Sequence, residues 1–237
     1  KRVIETQTSG APAAMIAETI SGVGGIITPP GEYFKILRET LEPFGTLLIA
    51  DEVQAGWGRL GDGMFGMVSS YGVVPDIITS AKGLGSGVPI GITITRPELA
   101  DVFKGPHINT FGGNPLASRA AQVTIEVIEK RDLIANAKRQ GETLLAGLRD
   151  LQKRFPLIGD VRGKGLMVGV ELVKDRQSKA YAAAETTRVV DEMRKRGVLV
   201  GKGGRFGNIL RIQPPLIFSS DDCAEFLRAL EASLATI

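Results

Sequence analysis

The sequence has little of what several common catalytic and metal centres require. Of its 237 residues, only Cys223 is a cysteine and only His107 is a histidine. A single cysteine excludes disulfides within the chain, and one residue of each type excludes zinc sites built from cysteine and histidine. A serine hydrolase would depend on His107, yet the chain has no Gly-x-Ser-x-Gly elbow to accompany it. We interpret Cys223, in the apparent helix 221–234, as a small helix residue and not as a nucleophile.

Neither charge nor hydropathy indicates a nucleic-acid or membrane partner. The net charge is +3, and charges of both signs alternate, as in residues 188–196, which is typical of solvated helix faces. No apolar run approaches the roughly 20 residues that cross a bilayer. We expect no nucleic-acid partner and no membrane span. A cytoplasmic location is expected, with a mitochondrial one as the alternative if the source is eukaryotic.

Short apolar runs alternate with amphipathic stretches over the first half of the chain, which is typical of an α/β fold. No tight hairpin joins the strand candidates, so we predict a mainly parallel sheet. The predicted strands are residues 13–17, 47–50, 76–80 and 90–95, and the predicted helices are 33–41, 97–103 and a long one opened by Asn114-Pro115. Residues 55–75 are expected to form a long loop.

The pattern changes after a second long helix, predicted over residues 133–152, and the remainder is typical of an α+β tail. Its predicted strands are residues 157–161, 166–172, 198–200 and 209–212, and its predicted helices are 180–196 and a last one capped by Asp221. We therefore predict two domains. Residues 1–132 would be part of a large α/β domain, and residues 133–237 would form a smaller α+β domain.

Two polar residues stand where neighbouring strands are predicted to end. Asp51 follows the apolar run 47–50, and Lys82 follows the strand 76–80 and precedes a glycine. In an open α/β sheet, ligands bind at the carboxyl ends of the strands. A lysine in apolar, glycine-rich surroundings is expected to lose hydration, which makes its amine more nucleophilic. An amine beside a carboxylate is what pyridoxal phosphate (PLP) requires, because it forms a Schiff base with lysine and pairs its ring nitrogen with an acid.

Several segments, in order along nearly the whole chain, resemble the signature of the class III aminotransferases, which are PLP enzymes of fold type I. The segments are residues 48–54, 58–61, 75–83, 109–117 and 210–215, which read LIADEVQ, GRLG, PDIITSAKG, NTFGGNPLA and LRIQPP. Within the family, residues 107–117 and 160–167 are most similar to type 2 alanine–glyoxylate aminotransferases. The resemblance implies a transaminase that moves an amino group between an amino acid and a 2-oxo acid.

The resemblance also implies roles at the cofactor. Lys82 would form the Schiff base and then move the proton between the substrate Cα and the cofactor C4′. Asp51 would pair with the pyridinium nitrogen, which keeps the ring able to take up negative charge. Val53 would pack on one face of the ring, and Gln54 would hydrogen-bond to the ring hydroxyl oxygen.

Two further residues take their roles from the resemblance. Thr110 would contact the cofactor phosphate of the neighbouring subunit, which implies a homodimer with shared sites. Arg211 would bind the substrate carboxylate, for which a bidentate guanidinium is well suited. No metal is expected.

Residues 17–25 resemble a family block but depart from it at two positions. Thr19 stands where the family usually has proline. Val23 stands where relatives that act on ω-amino groups have a glutamate that masks the arginine, so Arg211 should be open to α-carboxylates in both half-reactions. This departure favours alanine or a β-amino acid as donor and glyoxylate or pyruvate as acceptor. Glu18 is expected near the site, without an assigned role.

The family's phosphate-binding Ser-Gly loop, and the aromatic residue that covers the other face of the ring, lie upstream of the region that this chain resembles. We therefore expect the 237 residues alone not to form a complete active site. The alternative to a transaminase is an inactive fragment or paralogue, serving as a dimerisation or PLP-binding module that needs a missing N-terminal half. The joint presence of Lys82, Asp51 and Arg211 favours the enzyme.

Overall fold

Two units, each built around its own β-sheet, account for residues 1–237, all of which the computed structural model describes. The first unit comprises Lys1–Thr19, Pro29–Gly58 and Gly63–Asp132. The second comprises Ile20–Thr28, Arg59–Asp62 and Leu133–Ile237. Two short segments from the first half of the chain therefore belong to the second unit.

The first unit contains a four-stranded sheet in the order β1-β2-β3-β4. Its strands are β1 (Ala14–Glu18), β2 (Leu47–Asp51), β3 (Ile77–Ser80) and β4 (Ile92–Thr95). β1, β2 and β3 are parallel, and β4 is antiparallel to β3. The prediction of an α/β fold with a mainly parallel sheet is confirmed. β4 is the exception because residues 81–91 are too few for the crossover that a parallel partner of β3 would need.

Five helices accompany this sheet. They are α1 (Arg2–Gln7), α2 (Tyr33–Leu41), α3 (Gly66–Tyr71), α4 (Pro97–Ala100) and α5 (Pro115–Lys130). The predicted helix 33–41 is confirmed as α2, and the helix opened by Asn114-Pro115 is confirmed as α5. The Asn114 side chain caps α5 by accepting a hydrogen bond of 2.9 Å from the Ala117 N–H. The prediction of a loop throughout residues 55–75 is wrong because it contains α3, and the helix predicted over 97–103 ends at Ala100.

Apolar side chains cover one face of the first sheet. The centre of this core is formed by Phe34, Leu48, Ala50 and Met67, all of them fully buried. Because successive side chains alternate across a strand, Ile49 lies on the opposite face, in register with Ile16 of β1. Ile16 is 60% exposed, so the second face is covered less well than the first.

A buried carboxylate joins the amino ends of β2 and β3. Asp76, just before β3, accepts a hydrogen bond of 2.8 Å from the Leu48 N–H of β2. Arg38 of α2 holds the same carboxylate with two N–H groups, and Arg96 forms an ion pair of 3.0 Å with it. Burial alone would raise the pKa of Asp76, but the hydrogen bonds from Arg38 and Leu48 and the charges of Arg38 and Arg96 lower it overall. The ionised carboxylate therefore stabilises the pairing of β2 with β3.

The second unit contains an antiparallel sheet in the order β5-β6-β9-β8, with a short strand β7 paired to β6. Its strands are β5 (Ile158–Lys164), β6 (Met167–Asp175), β7 (Ala180–Tyr181), β8 (Gly201–Gly203) and β9 (Ile209–Ile212). The strands predicted over 157–161 and 166–172 are confirmed as β5 and β6, which pair in an antiparallel hairpin. The strand predicted over 198–200 is wrong, because the Val198 N–H bonds back to Met193 O and the ladder with β9 begins only at Gly201.

Three helices pack in the second unit, namely α6 (Leu133–Arg154), α7 (Ala183–Lys195) and α8 (Ser220–Leu234). α7 begins later than the predicted 180, because Ala180–Tyr181 forms β7 instead. The prediction that Asp221 caps α8 is also wrong. Ser219 is the cap, and Asp222 completes a capping box in which each side chain accepts from the other residue's N–H. No helix in either unit combines the length and the hydropathy that a membrane crossing requires.

The segment Ile20–Thr28 is held against the sheet of the second unit. Arg162 of β5 donates two hydrogen bonds to Gly25 O, at 3.0 Å from Nε and 2.8 Å from Nη2. The Gly204 N–H donates to Val23 O at 3.0 Å. Ile26 is fully buried with a φ of 55°, a conformation that is strained for a β-branched residue. These contacts fix the main chain at Val23.

The Asp76 network leads to a prediction about stability. We expect Asp76→Asn to lower the free energy of unfolding at pH 7 by about 2 kcal/mol, because a charged hydrogen-bond acceptor is lost. The pKa of Asp76 is lowered in the fold, so the wild-type advantage is present above the unfolded pKa of about 4 and is lost as the pH falls further. Urea unfolding is followed by circular dichroism at two pH values, pH 7 and an acidic pH below the unfolded pKa of Asp76, and gives the free energy of unfolding at each.

The matched control is Asp150→Asn, which removes an exposed carboxylate paired with Lys153 at 2.7 Å. Its unfolding free energy should stay close to wild type at both pH values, because exposed pairs contribute little. Equal losses in the two variants, or a loss for Asp76→Asn that persists in acid, would contradict the role given to Asp76.

Candidate active site

Lys82 stands at the carboxyl end of β3, in a backbone conformation that lysine rarely adopts. Its φ is 45°, in the left-handed region, whereas Ala81 before it is extended with a φ of −164°. The chain then closes into a 3-10 turn, Lys82–Gly85, in which the Leu84 N–H donates to Ala81 O at 3.1 Å. A left-handed residue other than glycine costs roughly 1–2 kcal/mol. Strain of this kind is typical of functional sites.

The expectation that Lys82 loses hydration is wrong for this chain, because the residue is exposed. Gly83 and Gly87 beside it have no side chains to cover the ammonium group. Leu84, in the same turn, is buried. The amine is therefore accessible to a ligand that approaches this edge of the sheet.

Asp51 ends β2, the strand next to β3. It is half-buried and in register with Thr79 of β3 on one side and Glu18 of β1 on the other. The Val53 N–H donates to Asp51 Oδ1 at 3.1 Å, which orients the carboxylate. Because parallel strands end at the same edge of a sheet, Asp51 and the turn that carries Lys82 lie on one side of the first unit. Glu18 lies at this edge too, as expected.

Val53 and Gln54 follow Asp51 in the turn after β2, and both are half-buried. The turn is closed by a hydrogen bond of 3.0 Å from the Gly56 N–H to Glu52 O. A Cβ at Gly56 would lie 2.7 Å from that oxygen, so the close approach requires glycine here. The apolar side chain of Val53 and the amide of Gln54 are thereby held beside Asp51.

Glu52 points into the protein from the same turn and is fully buried. Its carboxylate accepts hydrogen bonds from Thr19 Oγ1 at 2.7 Å, from the Met67 N–H at 2.7 Å and from the Gly66 N–H at 3.0 Å. Burial raises the pKa of Glu52, with a contribution from the charge of Asp51, against the lowering effect of these three donors. The last two donors are the first N–H groups of α3, which explains why a helix begins there.

Ser80 and Trp57 continue this network toward Lys82. Trp57 Nε1 donates to Ser80 Oγ at 2.7 Å, and Ser80 Oγ donates to Glu52 O at 3.3 Å. Both residues are buried. The last residue of β3 is therefore linked to the turn that follows β2.

Thr110 belongs to the segment 101–113, which precedes α5 and in which every residue is exposed. Asn109 Oδ1 accepts a hydrogen bond from the Phe111 N–H at 3.3 Å, and Asn114 Nδ2 donates to Phe111 O at 2.9 Å. These bonds shape the turn before α5.

Arg211 belongs to β9 of the second unit, in register with Gly169 and Gly201 on the two neighbouring strands. It is half-buried, and its Nη2 donates to Gln213 Oε1 at 3.0 Å. A Cβ at Gly203 would lie 2.4 Å from Arg211 Cδ and 3.2 Å from Val23 O, so glycine lets both approach. Arg211 also lines a groove of about 690 Å³, together with residues 197–201, 212–215, 217 and 218.

Four of the six predicted site residues lie at one edge of the first sheet. The four are Asp51, Val53, Gln54 and Lys82. This edge offers an accessible amine, an oriented carboxylate, a half-buried apolar side chain and an amide. These groups fit the aldehyde, the ring nitrogen, the ring face and the ring hydroxyl of PLP. Thr110 lies in the segment before α5 of the first unit, and Arg211 lies in the second unit.

Two residues of this edge had no role in the sequence-based prediction. In the sequence, Glu52 is simply a second acid after Asp51, and the side chains of adjacent strand residues ordinarily point to opposite faces of the sheet. Thr19 was visible only as a departure from proline. Their hydrogen bond joins positions far apart in the sequence, so no local pattern could have revealed it.

Comparisons with known proteins agree on one set of relatives. The family model described as aminotransferase class-III matches residues 1–234. The alanine–glyoxylate aminotransferase 2 homolog 2 (mitochondrial) of Arabidopsis thaliana is 45% identical over 234 residues. The leucine/methionine racemase of Thermococcus litoralis is 44% identical over 226 residues. An amine transaminase from an uncultivated Pseudomonas species, solved in its PLP-bound form, is similar with a TM-score of 0.92 and 38% identity.

The chain spans about half the length of the curated relatives it matches. The two alignments cover 98% and 95% of this chain, but 49% of the Arabidopsis protein and 50% of the Thermococcus protein. The structural match covers 99% of this chain and 55% of the Pseudomonas enzyme.

Proposed function

Because the chain belongs to the class-III aminotransferase family, we propose that it carries the lysine and acid of a PLP-dependent transaminase. The observation that supports this most directly is the position of Lys82 and Asp51 at the ends of adjacent parallel strands. The donor would be alanine or a β-amino acid, and the acceptor would be glyoxylate or pyruvate. PLP, when bound, supplies an electron sink for negative charge at the substrate Cα.

The reacting edge would work through two charged side chains. The Lys82 amine would hold the aldehyde carbon of the cofactor and then move a proton to or from the substrate Cα. Its exposure supports access for both molecules. Asp51 would keep the ring nitrogen protonated, and the bond from the Val53 N–H would hold its carboxylate in place. That interaction becomes stronger as negative charge develops, so it would lower the barrier.

The neighbours of Asp51 would orient the ring. Val53 would pack against one face, and Gln54 would hydrogen-bond to the ring hydroxyl oxygen. Both are half-buried in a turn that Gly56 closes, so little conformational entropy would remain to be lost on binding.

The substrate carboxylate would bind to Arg211. The half-buried guanidinium suits a bidentate carboxylate, and the neighbouring groove gives access to it. Val23, whose main chain lies across Gly203 from Arg211, is 62% exposed and has no charge that could mask the arginine. This supports α-carboxylates as ligands in both half-reactions.

The working form would be a homodimer in which Thr110 reaches the cofactor phosphate of the neighbouring subunit. The segment 101–113 supports this because it presents apolar side chains to solvent. Ile108 is 90% exposed, and Phe103 and Phe111 are exposed as well. Monomeric proteins rarely expose apolar side chains in such concentration.

Covalent labelling tests the proposed role of Lys82. The chain is incubated with PLP, reduced with borohydride and mapped by mass spectrometry. We expect the label on Lys82 and its loss in Lys82→Ala. Lys179→Ala is the matched control, because Lys179 is also an exposed lysine with a left-handed φ of 54° but follows no strand of the first sheet. It should leave the label on Lys82 unchanged.

The labelling is run on the chain alone and on the chain preceded by the upstream half of its Arabidopsis relative. Absence of the label from Lys82 in both forms would contradict the proposal and favour the inactive-module alternative. In the longer form, alanine and glyoxylate should give pyruvate and glycine. Formation of D-alanine in place of pyruvate would assign racemisation to the site instead.

Substitution at Val23 tests the assignment of the substrate carboxylate to Arg211. In the longer form, Val23→Glu should lower kcat/KM for alanine by about tenfold or more, because the new carboxylate would compete for the guanidinium. A donor amine without a carboxylate should be affected much less. Val23→Gln, similar in size but uncharged, is the control. An equal loss for both donors would refute a role for Arg211 in binding the carboxylate.

The dimer proposal is tested by sedimentation. We expect the wild type to sediment with twice the mass of one chain, and the double variant Ile108→Ser, Phe111→Ser to sediment as a monomer. Val74→Ser removes an apolar side chain that is 72% exposed outside the segment, and it should remain dimeric. A monomeric wild type, or equal dissociation of the control, would exclude this interface.

A further inference from the structure

Glu52 is a fully buried carboxylate, and its burial is costly. Its bonds to the start of α3 account for only part of its contacts. None of the three groups that bind its carboxylate is a cation, since they are the Thr19 hydroxyl and two N–H groups of α3. A buried carboxylate without a cationic partner is expensive to desolvate, and an apolar residue would usually serve stability better. The location next to Asp51 suggests a different reason for it.

The side chain of Glu52 joins two elements to the turn after β2. Thr19 follows directly on β1, and its hydroxyl lies 2.7 Å from Glu52 Oε1. The same oxygen accepts from the Met67 N–H of α3. Both Thr19 and Glu52 are fully buried, so neither bond competes with water. Movement of the end of β1 or of α3 would therefore be transmitted to residue 52.

The main chain of Glu52 joins the same turn to the end of β3. Its N–H donates to Thr79 O at 2.9 Å, and its carbonyl accepts from Ser80 Oγ at 3.3 Å. Ser80 is two residues before Lys82. Side chain and main chain together make residue 52 the point at which the carboxyl ends of β1, β2 and β3 are connected.

We infer that Glu52 is a positioning residue, which holds the turn carrying Asp51 against the turn carrying Lys82, and that the Thr19 hydroxyl orients its carboxylate. The significance of this for cofactor binding rests on the proposed function, since it assumes that Asp51 and Lys82 hold PLP. Glu52 itself, buried on the inner side of the turn, would touch neither cofactor nor substrate.

Four variants of the full chain test this inference. Thr19→Val removes the hydroxyl at constant shape, and Thr19→Ser restores it. Glu52→Gln removes the charge, and it places an amide N–H donor against the Thr19 hydroxyl and the α3 N–H groups, which are donors themselves. Thr46→Val is the matched control, because Thr46 is a buried threonine at the opposite end of β2 whose hydroxyl donates to Pro12 O at 2.9 Å.

Hydrogen exchange reports on the two turns without any cofactor. We expect Thr19→Val to accelerate amide exchange in residues 51–57 and 80–86 by about tenfold, from the loss of one hydrogen bond to a charged acceptor. Thr19→Ser should stay near wild type. Thr46→Val should lower the Tm by a similar amount to Thr19→Val but leave exchange in these two segments unchanged.

PLP affinity reports on the consequence for the site. Trp57 is the single tryptophan and donates to Ser80, so quenching of its fluorescence by PLP measures the Kd. We expect the Kd to rise about tenfold in Thr19→Val, and at least as much in Glu52→Gln if that variant folds. Thr46→Val and Thr19→Ser should keep the wild-type Kd.

The inference is overturned if Thr19→Val lowers the Tm but changes neither exchange in residues 80–86 nor the Kd, because Glu52 would then serve stability alone. A wild-type chain without quenching and without label on Lys82 overturns the proposed function instead. In that case the exchange measurement by itself still decides whether Glu52 couples the two turns.

Discussion

The parallel pairing of β2 with β3 is the constraint on which the rest of the site depends. Asp51 and Lys82 are neighbours only because these two strands end at the same edge, in the register that places Asp51 opposite Thr79. Asp76 holds the pairing at the amino ends through Leu48, and Glu52 holds it at the carboxyl ends through Thr79. The hydrogen bonds that build the sheet therefore also set the spacing between Asp51 and the turn that carries Lys82.

Much of the fold could be predicted because its signals are local. The amphipathic pattern of α2 and the Asn114-Pro115 start of α5 lie within the elements they specify. α3 could not be predicted, since its first N–H groups are satisfied by Glu52, which lies in a different segment. The position of β8 could not be predicted, because it depends on pairing with β9. The cap of α8 was missed because several polar residues precede the helix, and only Ser219 and Asp222 form the reciprocal bonds of a capping box.

The candidate site divides in the same way. Lys82 and Asp51 could be proposed as site residues because each follows an apolar run, and the family motifs along the chain supplied Val53, Gln54, Thr110 and Arg211 as expectations. The hydration of Lys82 was wrongly anticipated, because apolar neighbours in sequence do not cover a side chain that leaves the sheet at a glycine-rich turn. The partnership of Thr19 with Glu52 depends on the packing of β1 beside β2, which no single segment encodes.

The left-handed backbone at Lys82 would be easier for other residues to adopt than for lysine. Glycine would adopt a φ of 45° without the cost that lysine incurs, and asparagine would tolerate it better than most residues. Selection for folding alone would therefore remove the long side chain. Backbone preference therefore does not account for lysine at this position, whereas the role proposed for its amine does.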